Sequence, residues 1–117
     1  MYEYLAEVVR VIDGDTLVLQ VDNGFRSSYT DSFRLYGINA PEQRTRDLEE
    51  KRRGIAATEF LKSLLPIDGL VRVRTFKDRR GKYGRYLAQV FIDDSGTSVN
   101  DLMVEHGHAV PYMDNLR

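Results

Sequence analysis

Three segments of this chain hold residue types that together can break a phosphodiester bond. Asp13-Gly14-Asp15-Thr16 is an acidic turn, and Arg34-Leu35-Tyr36-Gly37-Ile38-Asn39-Ala40-Pro41-Glu42 carries an arginine and a glutamate. A third segment, Asp78 to Arg85, ends on Lys82-Tyr83-Gly84-Arg85. Carboxylates suit a divalent ion, one further carboxylate can activate water, and two guanidiniums can grip a phosphate in bidentate fashion. Each piece also has a plainer reading. Asp13-Gly14-Asp15 alone is a hairpin turn, Pro41-Glu42 alone is a helix start, and either arginine alone is a surface or ion-pair residue.

The elements that must position these residues are legible from periodicity. Leu5 to Ile12 and Thr16 to Val21 read as two strands joined at Asp13-Gly14, with Leu17, Leu19 and Val21 on one face. Asp22-Asn23-Gly24 signals a second hairpin, and a third strand is expected from about Phe25 or Tyr29 to Ile38. Ala57, Phe60, Leu61, Leu64 and Leu65 share a helical face, so a helix should start near Asp47 and stop at Pro66. Leu70 to Lys77 and Tyr86 to Ile92 are two more strands, and Val99 to Glu105 is a short helix closed by Gly107. The fold class expected is α+β, mainly strand: a five-stranded, OB-like Greek-key barrel with a helix between strands three and four. Phe33, Leu35, Ile38 and Leu87 belong to its core.

Composition narrows the chemistry. The 117 residues suit one domain, spanning 1–117, and with no cysteine the chain has neither disulfides nor thiolate sites. No stretch approaches the roughly 20 apolar residues of a membrane span. No basic segment followed by an apolar run opens the chain, so the expectation is cytoplasmic if the chain is complete and secreted if it is a processed form. Seventeen basic against eighteen acidic residues give a net charge of -1, which argues against a general nucleic-acid coat protein. The distribution is uneven: Arg72, Arg74, Lys77, Arg79, Arg80, Lys82 and Arg85 form a basic stripe, whose plain reading is a solvated strand face.

Taken in order, Val11-Ile12-Asp13-Gly14-Asp15-Thr16, Phe33-Arg34-Leu35, Ala40-Pro41-Glu42, Lys82-Tyr83-Gly84-Arg85, Leu87-Ala88 and Val99-Asn100 through His106-Gly107 resemble the staphylococcal-nuclease-type domain family. The resemblance covers nearly the whole chain. It implies a calcium-dependent hydrolase of DNA and RNA that breaks the bond to the 5′ oxygen and leaves a 3′-phosphate. It also implies roles: Asp15, Asn39 and the Ala40 carbonyl at the ion, Glu42 as general base, Arg34 and Arg85 on the phosphate, and Lys82, Tyr83 and Tyr112 around the nucleotide.

The main departure is Asn39, an amide where the family usually has an aspartate. Its oxygen can still meet calcium, but with one negative charge fewer. Asp13 is read as a turn or supporting residue, and His106 and His108 as cations favoured at a helix end. The expected substrate is single-stranded nucleic acid, with tyrosines stacking bases and no sequence reading. The expected protein is a monomer, with a dimer left open. Two other classes remain: a non-catalytic nucleic-acid or protein-binding module of the same fold, and an assembly partner whose basic stripe meets an acidic protein.

Overall fold

The computed structural model describes residues 2–66, 69–77 and 86–112. Strand β1 (Tyr2–Asp13) pairs antiparallel with β2 (Thr16–Gly24), which pairs antiparallel with β3 (Ser27–Leu35). Alternation in β2 turns Leu17, Leu19 and Val21 inward, and all three are buried. In β1 the inward set is Tyr4, Ala6 and Val8, then shifts to Val11 across a bulge between Val8 and Arg10. That extra residue bends the long strand around the core.

Two turns differ from the sequence expectation. The second hairpin does not turn at Asp22-Asn23-Gly24: β2 runs on to Gly24, which pairs with Ser27, and Phe25 and Arg26 form the tip with φ of 54° and 62°. Asp22 Oδ1 accepts the Gly24 amide at 2.8 Å and the ladder bulges there, which moves the reversal two residues along. The third strand ends at Leu35 rather than Ile38. Gly37, at φ 80°, reverses the chain, and Ile38–Asn39 becomes a separate two-residue strand, β4.

Helix α1 (Leu48–Leu64) starts where expected, because the Asp47 carboxylate accepts the Glu49 and Glu50 amides at 3.0 and 3.2 Å. It ends before Pro66, with Ala57, Thr58 and Leu61 buried against the barrel. The chain returns through β5 (Leu70–Lys77) and β6 (Tyr86–Phe91), one residue short of the expected end. Helix α2 (Val99–Glu105) follows, capped by buried Ser98 and closed at Gly107, φ 77°, where His108 N donates to the Met103 carbonyl. A last strand, β7 (Val110–Pro111), pairs with β4. No helix among the described residues is long and apolar enough to cross a membrane.

The strand order β1-β2-β3-β6-β5 closes into a barrel, with β3 and β6 parallel and the other pairs antiparallel. This is the OB-like architecture expected, and Phe33, Leu35, Ile38 and Leu87 all lie in the core. The parallel pairing needs a long crossover, which α1 supplies. Its seam is pinned by Asn100, 3% exposed on α2. The amide Nδ2 donates to the Tyr36 and Ala88 carbonyls at 2.9 and 3.0 Å, while Oδ1 accepts the Val90 amide at 3.1 Å.

Truncating Asn100 strands buried backbone groups on both sides of that seam. Asn100→Ala should lower unfolding free energy by about 2–4 kcal/mol, read from urea denaturation. A loss under about 0.5 kcal/mol would mean that water replaces the amide.

Candidate active site

The β1–β2 turn holds the central carboxylate. Asp13 Oδ1 accepts the Asp15 amide at 3.1 Å, which shapes the turn, and the Asp15 carbonyl accepts the Leu35 amide at 2.8 Å, which docks it on the end of β3. A Cβ added to Gly14 would lie 2.8 Å from both the Ala40 and Ala57 Cβ atoms, so only glycine lets the turn sit this close to α1. Asp15 is therefore buried, at 8% exposure. Its Oδ2 accepts the Ala40 amide at 2.9 Å and its Oδ1 accepts the Thr16 hydroxyl at 3.2 Å.

Arg34 projects from the outer face of β3, between inward Phe33 and Leu35. One guanidinium nitrogen, Nη2, donates to Asn39 Oδ1 at 2.9 Å and lies 3.7 Å from Asp15 Oδ2. The Tyr112 ring covers the guanidinium, with 5.2 Å from its central carbon to the ring centroid. Tyr112 is fixed in turn by its amide, which donates to the Gly37 carbonyl at 2.8 Å. Arg34 Nε is buried with no hydrogen-bond partner among the described residues. Asp15, Arg34, Asn39, Ala40 and Tyr112 thus come together, drawn from both ends of the chain. Arg85, Lys82 and Tyr83 lie outside the described residues.

Burial pushes the Asp15 carboxyl up to about 6, and the bond with Asp13 adds to the rise. The Ala40 amide and the Arg34 charge oppose it without cancelling it. A carboxylate desolvated this far lacks compensating charge. As donors to a cation, Asp15, the Asn39 amide oxygen and the Ala40 carbonyl are all hard oxygens, which suits calcium or magnesium. The Asn39 oxygen has a second lone pair beyond the one Arg34 uses. No cluster of three acidic or histidine side chains occurs among the described residues, so such a set would carry a single carboxylate.

Glu42 is exposed and lines a cavity of about 540 Å³ with Asn39, Ala40, Glu50, Arg53 and His108 among its walls. Its backbone position is set by two residues that periodicity did not single out. Gln43 Nε2 donates to the Ile12 carbonyl at 2.9 Å and its Oε1 accepts the Thr58 hydroxyl at 3.0 Å, tying the segment to β1 and α1. Gly54 packs so closely that a Cβ there would be 2.5 Å from the Glu42 carbonyl oxygen and 2.6 Å from the Gln43 nitrogen. A glycine in the middle of a helical pattern was the available signal for that approach.

His106 and His108 flank the Phe60 ring at 5.0 and 4.5 Å between centroids, against α1. In the described part of the basic stripe, Arg72 Nε lies 2.9 Å from Glu3 and Arg74 Nε 3.7 Å from it, with both guanidiniums over Phe91. Asp94 lies 3.5 Å from Arg72 Nη1 as well, so the two arginines face two acids on a solvated strand face, with Lys77 exposed at its end.

Residues 32–116 match the family model described as staphylococcal nuclease homologue. Among known proteins, the chain is 33% identical over 115 residues to "Endonuclease YhcR" of Bacillus subtilis, covering 94% of this chain and 9% of that protein. It is 38% identical over 106 residues to an "Uncharacterized endonuclease" of Escherichia coli, covering 90% and 59%. With "Thermonuclease" of Staphylococcus intermedius it shares 34% over 87 residues, covering 74% and 48%. The chain spans less than two thirds of the length of each of these relatives.

Two outcomes follow from the geometry. Unfolded Asp15 ionises near its ordinary 3.8 and the folded residue near 6, so the native state holds the extra proton between those values and its stability falls as pH rises through them. In metal-free protein, Asp15→Asn should therefore raise stability at pH 8 by up to about 3 kcal/mol and change little at pH 3, below both values. Urea midpoints of both proteins at the two pH values measure this, and equal gains at both would discount the buried charge. Gly54→Ala should displace Glu42 while the barrel persists. Far-UV circular dichroism should stay native, and unfolding free energy should drop by about 1–3 kcal/mol.

Proposed function

The chain belongs to the staphylococcal nuclease homologue family, and from that membership we propose that it is a calcium-assisted nuclease cutting DNA or RNA by water attack on phosphorus. The observation that carries this reading is the arginine clamp: Arg34 held between buried Asp15, Asn39 and the Tyr112 ring, at the foot of the segment that bears Glu42. A guanidinium fixed in advance offers its donors to the scissile phosphate without reorganising, so it stabilises the charge that builds up in the transition state.

In this mechanism exposed Glu42 accepts a proton from the attacking water or orients it. Arg34 and Arg85 grip the equatorial oxygens. The leaving group is the 5′ oxygen, so products end in 3′-phosphate. Asp15, Asn39 and the Ala40 carbonyl would hold the calcium, which when bound polarises the phosphate and makes bound water more acidic. Tyr112 shields Arg34 from solvent, while Lys82 and Tyr83 contact the nucleotide. A flexible single strand reaches such a site more readily than a stiff duplex, so single strands should be cut faster. The presence of Arg34, Glu42 and Arg85 favours an enzyme over a binding module of the same fold.

The test is cleavage of an end-labelled oligonucleotide, single-stranded and annealed, titrated with calcium. Glu42→Gln, Arg34→Ala and Arg85→Ala should each lower kcat by roughly 10²–10³. Asn39→Asp should lower the half-saturating calcium concentration, since it restores a ligand charge. Folded variants that cut nearly as fast as wild type would sink the site assignment, 3′-hydroxyl ends would sink the chemistry, and an unchanged calcium midpoint in Asn39→Asp would sink the ligand assignment.

A further inference from the structure

Beside the Glu42 segment lies a second concavity, about 620 Å³, walled by Gln43, Arg44, Thr45, Arg46, Lys51 and Ile55. Three of these six are cations, and no acid lines it. The acids of the same stretch are engaged elsewhere. Asp47 caps α1, Glu49 pairs with Arg52 at 3.7 Å, and Glu50 faces the other cavity with Arg53. Arg44, Arg46 and Lys51 are exposed and have no ion-pair partner among the described residues.

From Pro41 to Arg46 exposure alternates, with Glu42, Arg44 and Arg46 all outward. The two hydrogen bonds of Gln43 fix the backbone between Glu42 and Arg44, so the cations are held in register with the glutamate. Three cations line one concavity with no acid on its wall, and a chain of evenly spaced negative charges can meet all three.

We propose that Arg44, Arg46 and Lys51 form a phosphate track that holds the strand flanking the scissile bond. This rests on the nuclease reading, and it assigns the polyanion contact to the α1 entry rather than to Arg72 and Arg74, whose charges Glu3 and Asp94 meet. The track binds phosphates and not bases, so it adds length dependence to binding and no sequence preference.

Arg44→Ala/Arg46→Ala/Lys51→Ala and, separately, Arg72→Ala/Arg74→Ala are compared with wild type. Binding of a fluorescent oligo-dT of about 20 nucleotides is followed by anisotropy in chelator across salt, and kcat/KM is measured for that oligonucleotide and for a dinucleotide. The triple variant should bind the long strand about tenfold more weakly at low salt, with the log–log salt slope shallower by about 2. Its dinucleotide cleavage should match wild type, and the double variant should bind within about twofold of wild type. An unchanged slope in the triple variant, or an equal loss in the double variant, overturns the track. Should the triple variant not fold, Arg44→Gln and Arg46→Gln singly should each weaken binding about two- to threefold, and no change in either overturns it. If wild type cuts neither substrate the nuclease reading fails, while the metal-free binding data still decide the track.

Discussion

A buried carboxylate must be met by donors, and the Asp15 carboxylate is met by three parts of the chain at once. Its oxygens take the Ala40 amide, the Thr16 hydroxyl and the charge of Arg34, while its carbonyl takes the end of β3. Each of these partners is placed by the barrel, so the first hairpin, the third strand and the segment leading to α1 are held at one point. Burial and the neighbouring Asp13 side chain still push its carboxyl above the usual range against the pull of Ala40 and Arg34. The site therefore retains an unmet demand for positive charge, which sets it apart from the neutralised face around Glu3, Arg72 and Arg74.

Much of the frame was readable beforehand because it rests on short-range rules. Leucine and valine alternation fixed the inward face of β2, Phe33 and Leu35 that of the end of β3, Asp47 and Pro66 bounded α1, and Gly107 closed α2. One misplaced boundary was set by a bond reaching only two residues and the other by a partner far along the chain. Asp22 captured the Gly24 amide and moved a turn, and Gly37 broke a strand whose remainder found β7, over seventy residues away in the sequence.

Within the site the same division holds. Residue types announced Asp15, Arg34 and Glu42 as chemistry, yet spacing could not say that Asn39 would accept from Arg34 or that Tyr112 would lie over it. Nor did it mark Gln43, a polar residue in a polar stretch, as the double-sided tie that fixes the glutamate's backbone. Such residues become visible only when their partners, Ile12 and Thr58, are brought alongside by the fold.

Among the described residues the ladder between β4 and β7 is two residues long, and beyond it a backbone bond from Tyr112 to Gly37 holds the ring over Arg34. So slight a seam opens at a small fraction of the cost of opening the barrel. The molecule thus has two thresholds, a low one at which the arginine is uncovered and a high one at which the core melts. Warming or mild denaturant would cross the first well before the second, leaving a folded barrel with Arg34 uncovered.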